Sequence, residues 1–510
     1  MQQQEQQPTS FVEAPRPASA DGRGEPGAPA AGQEHTGKWV VLGIVGLGVF
    51  MATLDSSIVN ISLPTMARYF GVPLSGAIEW VVIAYLVATA AILLTAGRLA
   101  DMLGRRTVWA AGLVLFTASS ALCGAAPDLG FLVGARALQG LGGALLMAVA
   151  PAMLAAAFPP QERGRALGLN AVTVSLGVSV GPTLGGFITQ NFSWRWIFYV
   201  NLPVGILALI ATLRVLHEPV RHNQGRFDPL GAGLLGVGLA CLTGGLSFGQ
   251  ERGWTSAPIL LALSVGIVAL VLLPLVELRV PNPIIVLSLL RSRVFASAII
   301  SLVLSFLALF AVSFMLPFYL EELRGFSAEQ AGWLLTPLPI TIAVLAPFSG
   351  TLADRLGSRW LAAGGLAIAC GGLVLISGLN AQSSVWDIVW RLVVTGIGQA
   401  LFQTPNNSAL LGAAPRHLQG SASGFLATGR VVGQSMSIAL AGAVFAGLGG
   451  AAAGGILAGA RHGGPAAPDV AALQATFVDS FHATFLVCAA IAAIGIFTSL
   501  VRGPEARHRA

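Results

Sequence analysis

Residues 97–106 read Gly97-Arg98-Leu99-Ala100-Asp101-Met102-Leu103-Gly104-Arg105-Arg106, and residues 350–359 read Gly350-Thr351-Leu352-Ala353-Asp354-Arg355-Leu356-Gly357-Ser358-Arg359. Seven positions are identical, and each copy closes a long apolar run. Glycine admits a sharp reversal, the aspartate caps the next helix or pairs with an arginine, and the arginines anchor in lipid headgroups. A well-made polar turn accounts for one copy. Two at matched positions mean that the chain is built from two related halves.

Of the 510 residues 55% are hydrophobic and only 10% charged, with a mean hydropathy of +0.77. Soluble domains carry about 25% charge, so that class is excluded. The runs are also too long and too continuous for the strands of a membrane barrel. They fall at 39–61, 79–99, 107–126, 131–155, 166–189, 196–216 and 228–248, then at 257–278, 294–318, 330–353, 360–379, 386–410, 421–447 and 480–501. The expectation is an all-α polytopic membrane protein with 14 transmembrane helices. Residues 1–37 lack an apolar run and read as a disordered tail, not a signal peptide. The four cysteines and seven histidines are scattered, so no metal site or disulfide framework is expected. His217 and His222 read as a basic flank of the sixth span. No Gly-x-x-x-x-Gly-Lys-Ser/Thr loop is present, and neither ATP nor nucleic acid is an expected partner.

An even number of spans puts both termini on one side. Placing that side in the cytoplasm leaves 20 of the 28 Lys+Arg inside and only Arg68, Arg195, Arg252, Arg324 and Arg461 outside. The positive-inside rule therefore expects cytoplasmic termini.

The paired decapeptide resembles the signature loop of the major facilitator superfamily, G-x-L-a-D-r-x-G-r-r, with Met102 and Ser358 standing where a basic residue is usual. Four further stretches resemble motifs of its fourteen-span drug:proton antiporter branch. They are Leu54 to Pro64 in the first span, Leu132 to Gly143 in the fourth, Gly177-Val178-Ser179-Val180-Gly181-Pro182-Thr183-Leu184-Gly185-Gly186 in the fifth, and Trp194 to Pro203 before the sixth. The resemblance covers residues 38–501 with every motif in register. It implies the major facilitator fold: a six-helix bundle at 38–217, a linker with two extra central spans at 218–290, and a second six-helix bundle at 291–501. Within the second bundle, 448–479 is expected as an extracellular loop or short hairpin, and 502–510 as a cytoplasmic tail.

The resemblance also implies a monomer in the bacterial plasma membrane that is not an enzyme. Such a protein exports hydrophobic or cationic small molecules by alternating access, with protons as coupling ion and no other cofactor. An uptake symporter or uniporter on the same fold is the alternative. The two loops then become inner gates, through Gly97, Asp101, Gly104, Arg105 and Arg106 and through Gly350, Asp354, Arg355, Gly357 and Arg359.

Gly177, Gly181 and Gly185 are four apart and stack on one helix face, which by itself means a close helix contact. With Pro182 and Gly186 beside them, the resemblance makes the fifth span the antiporter helix that controls leakage. Gly429, Gly433 and Ser437 repeat the small face in the thirteenth span without a proline. If those two helices meet across the interface between bundles, the kink and the control lie in the N-terminal half.

Charges inside spans usually face a cavity or a partner. Asp55 and Arg136 fall at comparable depth in the first and fourth spans, since each residue advances a helix by about 1.5 Å. The expectation is that Asp55 alternately binds a proton and substrate while Arg136 tunes how firmly it holds the proton. Arg391 is expected to pair with Asp387, and Arg430 to face the cavity beside Gln434. Asn170, Gln399, Gln403, Asn406 and Asn407 are further polar candidates for the cavity wall. Phe306, Phe310 and Phe314 read as a packed or lipid-facing stripe.

Overall fold

A span in lipid must satisfy its backbone internally, so every apolar run is driven into a helix. The computed structural model describes residues 34–73, 76–159, 162–216, 228–280, 286–415, 418–461 and 469–502; the tail before residue 34, His217 and His222, and the side chains of Asp101 and Asp354 lie outside the described residues and groups. The helices are α1 (Glu34–Phe70), α2 (Trp80–Leu103), α3 (Arg105–Gly124), α4 (Leu129–Ala157), α5 (Arg163–Asn191), α6 (Trp196–Tyr199), α7 (Asn201–Val215), α8 (Pro229–Arg252) and α9 (Ala257–Glu277). They continue as α10 (Arg293–Phe318), α11 (Ala328–Leu335), α12 (Pro337–Leu356), α13 (Ser358–Ser377), α14 (Val385–Gly412), α15 (Gln419–Gly447), α16 (Gly450–Arg461) and α17 (Val470–Leu500). No strand occurs among the described residues. Fourteen helical segments are long and apolar enough to cross a membrane; α6 with α7 and α11 with α12 each make one span.

Packing repeats between the halves. In the first, α1 packs on α5, α2 on α4, and α3 on α4 and α7. In the second, α10 packs on α15, α12 on α14, and α13 on α14 and α17. The extra helices α8 and α9 pack on each other, and α8 also lies along α2 and α15.

The repeated turns have one geometry. Gly104 (φ 90°, ψ 139°) separates α2 from α3, and Gly357 (φ 87°, ψ 140°) separates α12 from α13. Only glycine adopts that conformation without strain. The expected role of Gly97 and Gly350 in the reversal is corrected. Both sit inside helices, where a Cβ would meet nothing at Gly97 and only the Thr404 methyl at 3.6 Å at Gly350. The arginines do more than anchor in lipid: Arg105 donates to the Ala152 carbonyl (3.0 Å) and Arg106 to that of Leu213 (2.8 Å), tying the turn to α4 and to the C-terminal end of α7. The Leu213 carbonyl belongs to the negative end of α7. Arg359 instead lies 5.3 Å from the Trp360 ring.

Two end regions differ from expectation. The 448–479 connection contains α16, and its second arm has already joined α17 by Val470. Arg502, expected in a cytoplasmic tail, is buried and donates to the Asn406 side chain, whose amide in turn donates to the Ala298 carbonyl (3.1 Å). Asn406 is therefore a tie between α14, α10 and the end of α17, not a cavity residue.

Replacing Gly104 by Ala forces a Cβ into a left-handed conformation and should lower stability by about 1–3 kcal/mol. Gly97→Ala should be neutral or stabilising by up to about 1 kcal/mol. Thermal unfolding of the two purified variants measures the contrast, which equal melting temperatures would contradict.

Candidate functional site

Asp55 and Arg136 meet. Both side chains are fully buried in the N-terminal half, with Arg136 Nη1 2.6 Å from Asp55 Oδ2. The other carboxylate oxygen accepts from Gln139 Nε2 (2.8 Å) and Asn201 Nδ2 (2.8 Å). Gln139 also donates to Ser120 Oγ (2.7 Å) and accepts from Arg136 Nη1 (2.5 Å). Arg136 Nε donates to the Val81 carbonyl (2.8 Å), and its guanidinium carbon lies 4.4 Å from the centre of the Tyr85 ring. Five helices thus converge on one ion pair: α1, α2, α3, α4 and α7.

Small residues make this convergence sterically feasible. A Cβ at Gly140 would strike the Tyr85 backbone, and one at Gly143 the Tyr85 hydroxyl. These two glycines let α2 close on α4, bringing the Val81 carbonyl and the Tyr85 ring to Arg136. Burying two ions costs several kcal/mol each unless geometry and further hydrogen bonds compensate. Here three donors converge on one carboxylate, and the guanidinium has a carbonyl, a carboxylate and an amide oxygen as acceptors.

The glycines of α5 serve two contacts. Gly177, Gly181 and Gly185 face α1, where added Cβ atoms would strike Thr53, Ser57, and Ile58 with Ile61. Ser57 Oγ also donates to the Gly177 carbonyl (3.1 Å). Gly186 faces the other half, against the Ala328 carbonyl, while Gly332 lies against the carbonyl of Pro182. Thr183 and Thr336 share a 2.6 Å hydrogen bond beside them. The mirror contact expected between the fifth and thirteenth spans is corrected. Gly429 and Gly433 pack on α10, against Ile299 and Phe306, as the α5 glycines pack on α1. Each small face holds its own bundle's first helix, and the contact between halves on α5 belongs to Pro182, Thr183 and Gly186.

That contact lies toward the face opposite the chain termini, here the far face, and a charged lock reinforces it. Arg68 at the end of α1 pairs with Glu322 (2.7 Å) and Glu321 (3.1 Å), in the π-helical turn Tyr319–Leu323 that follows α10. Arg461 of α16 donates to the carbonyls of Glu322 (2.7 Å) and Leu323 (2.6 Å), which fixes the turn. The halves are sealed together at the far face.

A duplicated helical bundle with paired Gly-φ turns, a five-helix ion pair and a far-face seal between halves is now in view. Residues 45–437 match the family model described as Major Facilitator Superfamily. The chain belongs to this superfamily. Over 412 residues it is 36% identical to the riboflavin transporter RibZ of Clostridioides difficile, covering 80% of this chain and 87% of that one. It is 35% identical over 402 residues to the multidrug resistance protein Stp of Mycobacterium tuberculosis, covering 79% of this chain and 74% of Stp. The superfamily fold is also shared with the crystal structure of a bacterial homologue of the human lysosomal transporter Spinster in an inward-facing, unoccupied conformation. The TM-score is 0.65 at 16% identity, covering 91% of this chain and 96% of that one. The protein is a membrane transporter of the drug-exporter branch, not an enzyme.

The remaining span residues divide. Arg391 does not pair with Asp387: it donates to the Leu375 carbonyl (2.8 Å), and Asp387 caps its own helix through Ser384. Asn170, Gln399, Gln403 and Gln434 are partly buried and form no side-chain hydrogen bond with another described residue. Asn407 is also partly buried, its side-chain oxygen without a partner. Phe306 and Phe314 are buried, so that stripe is packed. Arg430 makes no hydrogen bond or ion pair with another described residue, and its guanidinium lies 5.6 Å from the Phe306 ring.

Sequence reading found Asp55 and Arg136 but not the roles of Ser120, Gln139 and Asn201 as their partners, nor the Arg68 lock. One signal was available: Gln139 is three residues after Arg136, on the same helical face. Arg136→Met would leave a buried carboxylate without its cation, at a cost of about 3–5 kcal/mol. The double variant Asp55→Leu/Arg136→Met should recover most of that loss. Thermal unfolding in detergent checks this; a double variant as unstable as the sum of the two singles would contradict it.

Proposed function

We propose that the protein is a proton-coupled antiporter that exports hydrophobic small molecules across the bacterial plasma membrane, with both termini in the cytoplasm. The single observation that carries the reading is the closed Asp55–Arg136 pair within a transporter sealed at one face. The excess of basic residues on the terminal face supports that orientation. The joined far face is then the outer one, and on this reading substrate enters from the cytoplasm.

Asp55 here acts only as an acceptor, from a guanidinium and two amides. A proton on Asp55 removes the charge that holds Arg136 and turns one acceptor into a donor, so this set of bonds cannot survive unchanged. Proton binding therefore loosens α1 from α4 and α7. The same α1 carries the Gly177–Gly185 contact and Arg68 of the far-face lock, so a change at Asp55 reaches the seal along one helix. The membrane potential supplies about 2.3 kcal/mol per proton charge per 100 mV, which drives export without ATP. The cationic preference that the resemblance implies gains no support from Asp55, because Arg136 neutralises its charge.

The second reading is uptake on the same fold, for which the similarity to the riboflavin transporter RibZ suggests a riboflavin-like solute. Expression in an efflux-deficient bacterium, challenged with a panel of hydrophobic drugs, separates the two. Wild type should protect against some of them, with Asp55→Asn losing at least about tenfold of the transport rate, as removal of an essential coupling charge implies. Protection unchanged in Asp55→Asn, or proton-driven accumulation in place of protection, would overturn the proposal.

A further inference from the structure

The first half pairs the span cation Arg136 with Asp55, whereas Arg430 in the second half has no such acid among the described residues. Arg430 is the twelfth residue of the 29-residue α15, near the middle of the membrane. The four ion pairs between described residues are Lys38–Glu162, Arg68–Glu321, Arg68–Glu322 and Asp55–Arg136, and none reaches it.

Its direction follows from its neighbours on the helix. Gly424 and Gly442 lie against Leu94 and Glu79 on the α2 side, and Gly429 and Gly433 lie against α10. With 100° between successive residues, Arg430 and Gln434 fall on the edge between those two stripes. On α2, Trp80 and Ala91, which meet Gly244 and Gly236 of α8, lie to one side of Leu94, so α8 covers the opposite edge of the α2–α15 seam. The Arg430 edge therefore faces the space between the halves.

A cation held partly buried over an aromatic ring, with unbonded amide Gln434 one turn away, is built to receive a planar anion. A guanidinium binds a carboxylate through parallel charge-assisted bonds and stacks on aromatic faces. We propose that Arg430 forms a substrate subsite selective for planar organic anions, with its guanidinium binding the acidic group and the packed Phe306 ring backing that guanidinium. This rests on the export reading above and narrows its substrate class.

Three probes with one tricyclic body test it: anthracene-9-carboxylate, 9-(aminomethyl)anthracene and anthracene-9-methanol. Binding to the purified protein in nanodiscs is read by fluorescence, and transport separately in energised everted vesicles. The carboxylate should bind tightest. Arg430→Gln should weaken it about tenfold or more and leave the alcohol unchanged, while Arg430→Lys retains part of the preference. Matching melting temperatures establish that the variants fold. Equal or tighter binding of the amine, no preference for the carboxylate over the alcohol, or an Arg430→Gln protein with undiminished preference would overturn the subsite. Selective binding without proton-driven movement of any probe would instead sink the export reading and leave the subsite standing.

Discussion

A carboxylate and a guanidinium taken out of water together resist burial by several kcal/mol each, and the N-terminal half is arranged to offset that cost. Asp55 receives three donors from α4 and α7, and Arg136 three acceptors from α1, α2 and α4. Arg136 Nη2 is left without a partner, and each further bond lost would strand another buried polar group. The network holds five helices together, and on the proposed mechanism one proton on Asp55 would remove the charge on which the arrangement depends.

The glycines connect that site to the far face. Along α1, Asp55 is flanked by Thr53, Ser57, Ile58 and Ile61, the residues against which the α5 glycines close. Farther along the same helix stands Arg68, pairing with Glu321 and Glu322 of the other half. On its other side α5 meets α11 through Pro182, Thr183 and Gly186. A packed interior shifts between discrete arrangements instead of bending continuously, so on the proposed mechanism loosening the middle of α1 would bias the contact at its far end. The second half repeats the helix contacts but not the ion pair: Gly429 and Gly433 hold α10, while no acid among the described residues pairs with Arg430.

Much of this was legible in the sequence because membranes reward simple patterns. Fourteen apolar runs became fourteen crossings, and the duplicated decapeptide marked the duplicated packing. Asp55 and Arg136 could be brought together because a charge in a span needs a partner and helix rise gives its depth. What stayed hidden depends on helix rotation and on distant contacts. Asn201 stood in the sequence only as part of the stretch before the sixth span, yet it opens α7 with its amide on Asp55. Asn406 looked like a cavity residue and is tied to Arg502, nearly a hundred positions away. Gly97 and Gly104 looked alike in the motif, and only the backbone angle at Gly104 separates a required glycine from a tolerated one.

The central claim is that the proton state of Asp55 sets the state of the far-face seal. Spin labels at the exposed positions Asn191 and Gln330, at the far ends of α5 and α11, report that seal by electron–electron resonance. Wild type should show one short distance, whereas Asp55→Asn, which cannot carry the charge that holds Arg136, should show a longer one beside it. Identical distance distributions in wild type and Asp55→Asn would contradict the account.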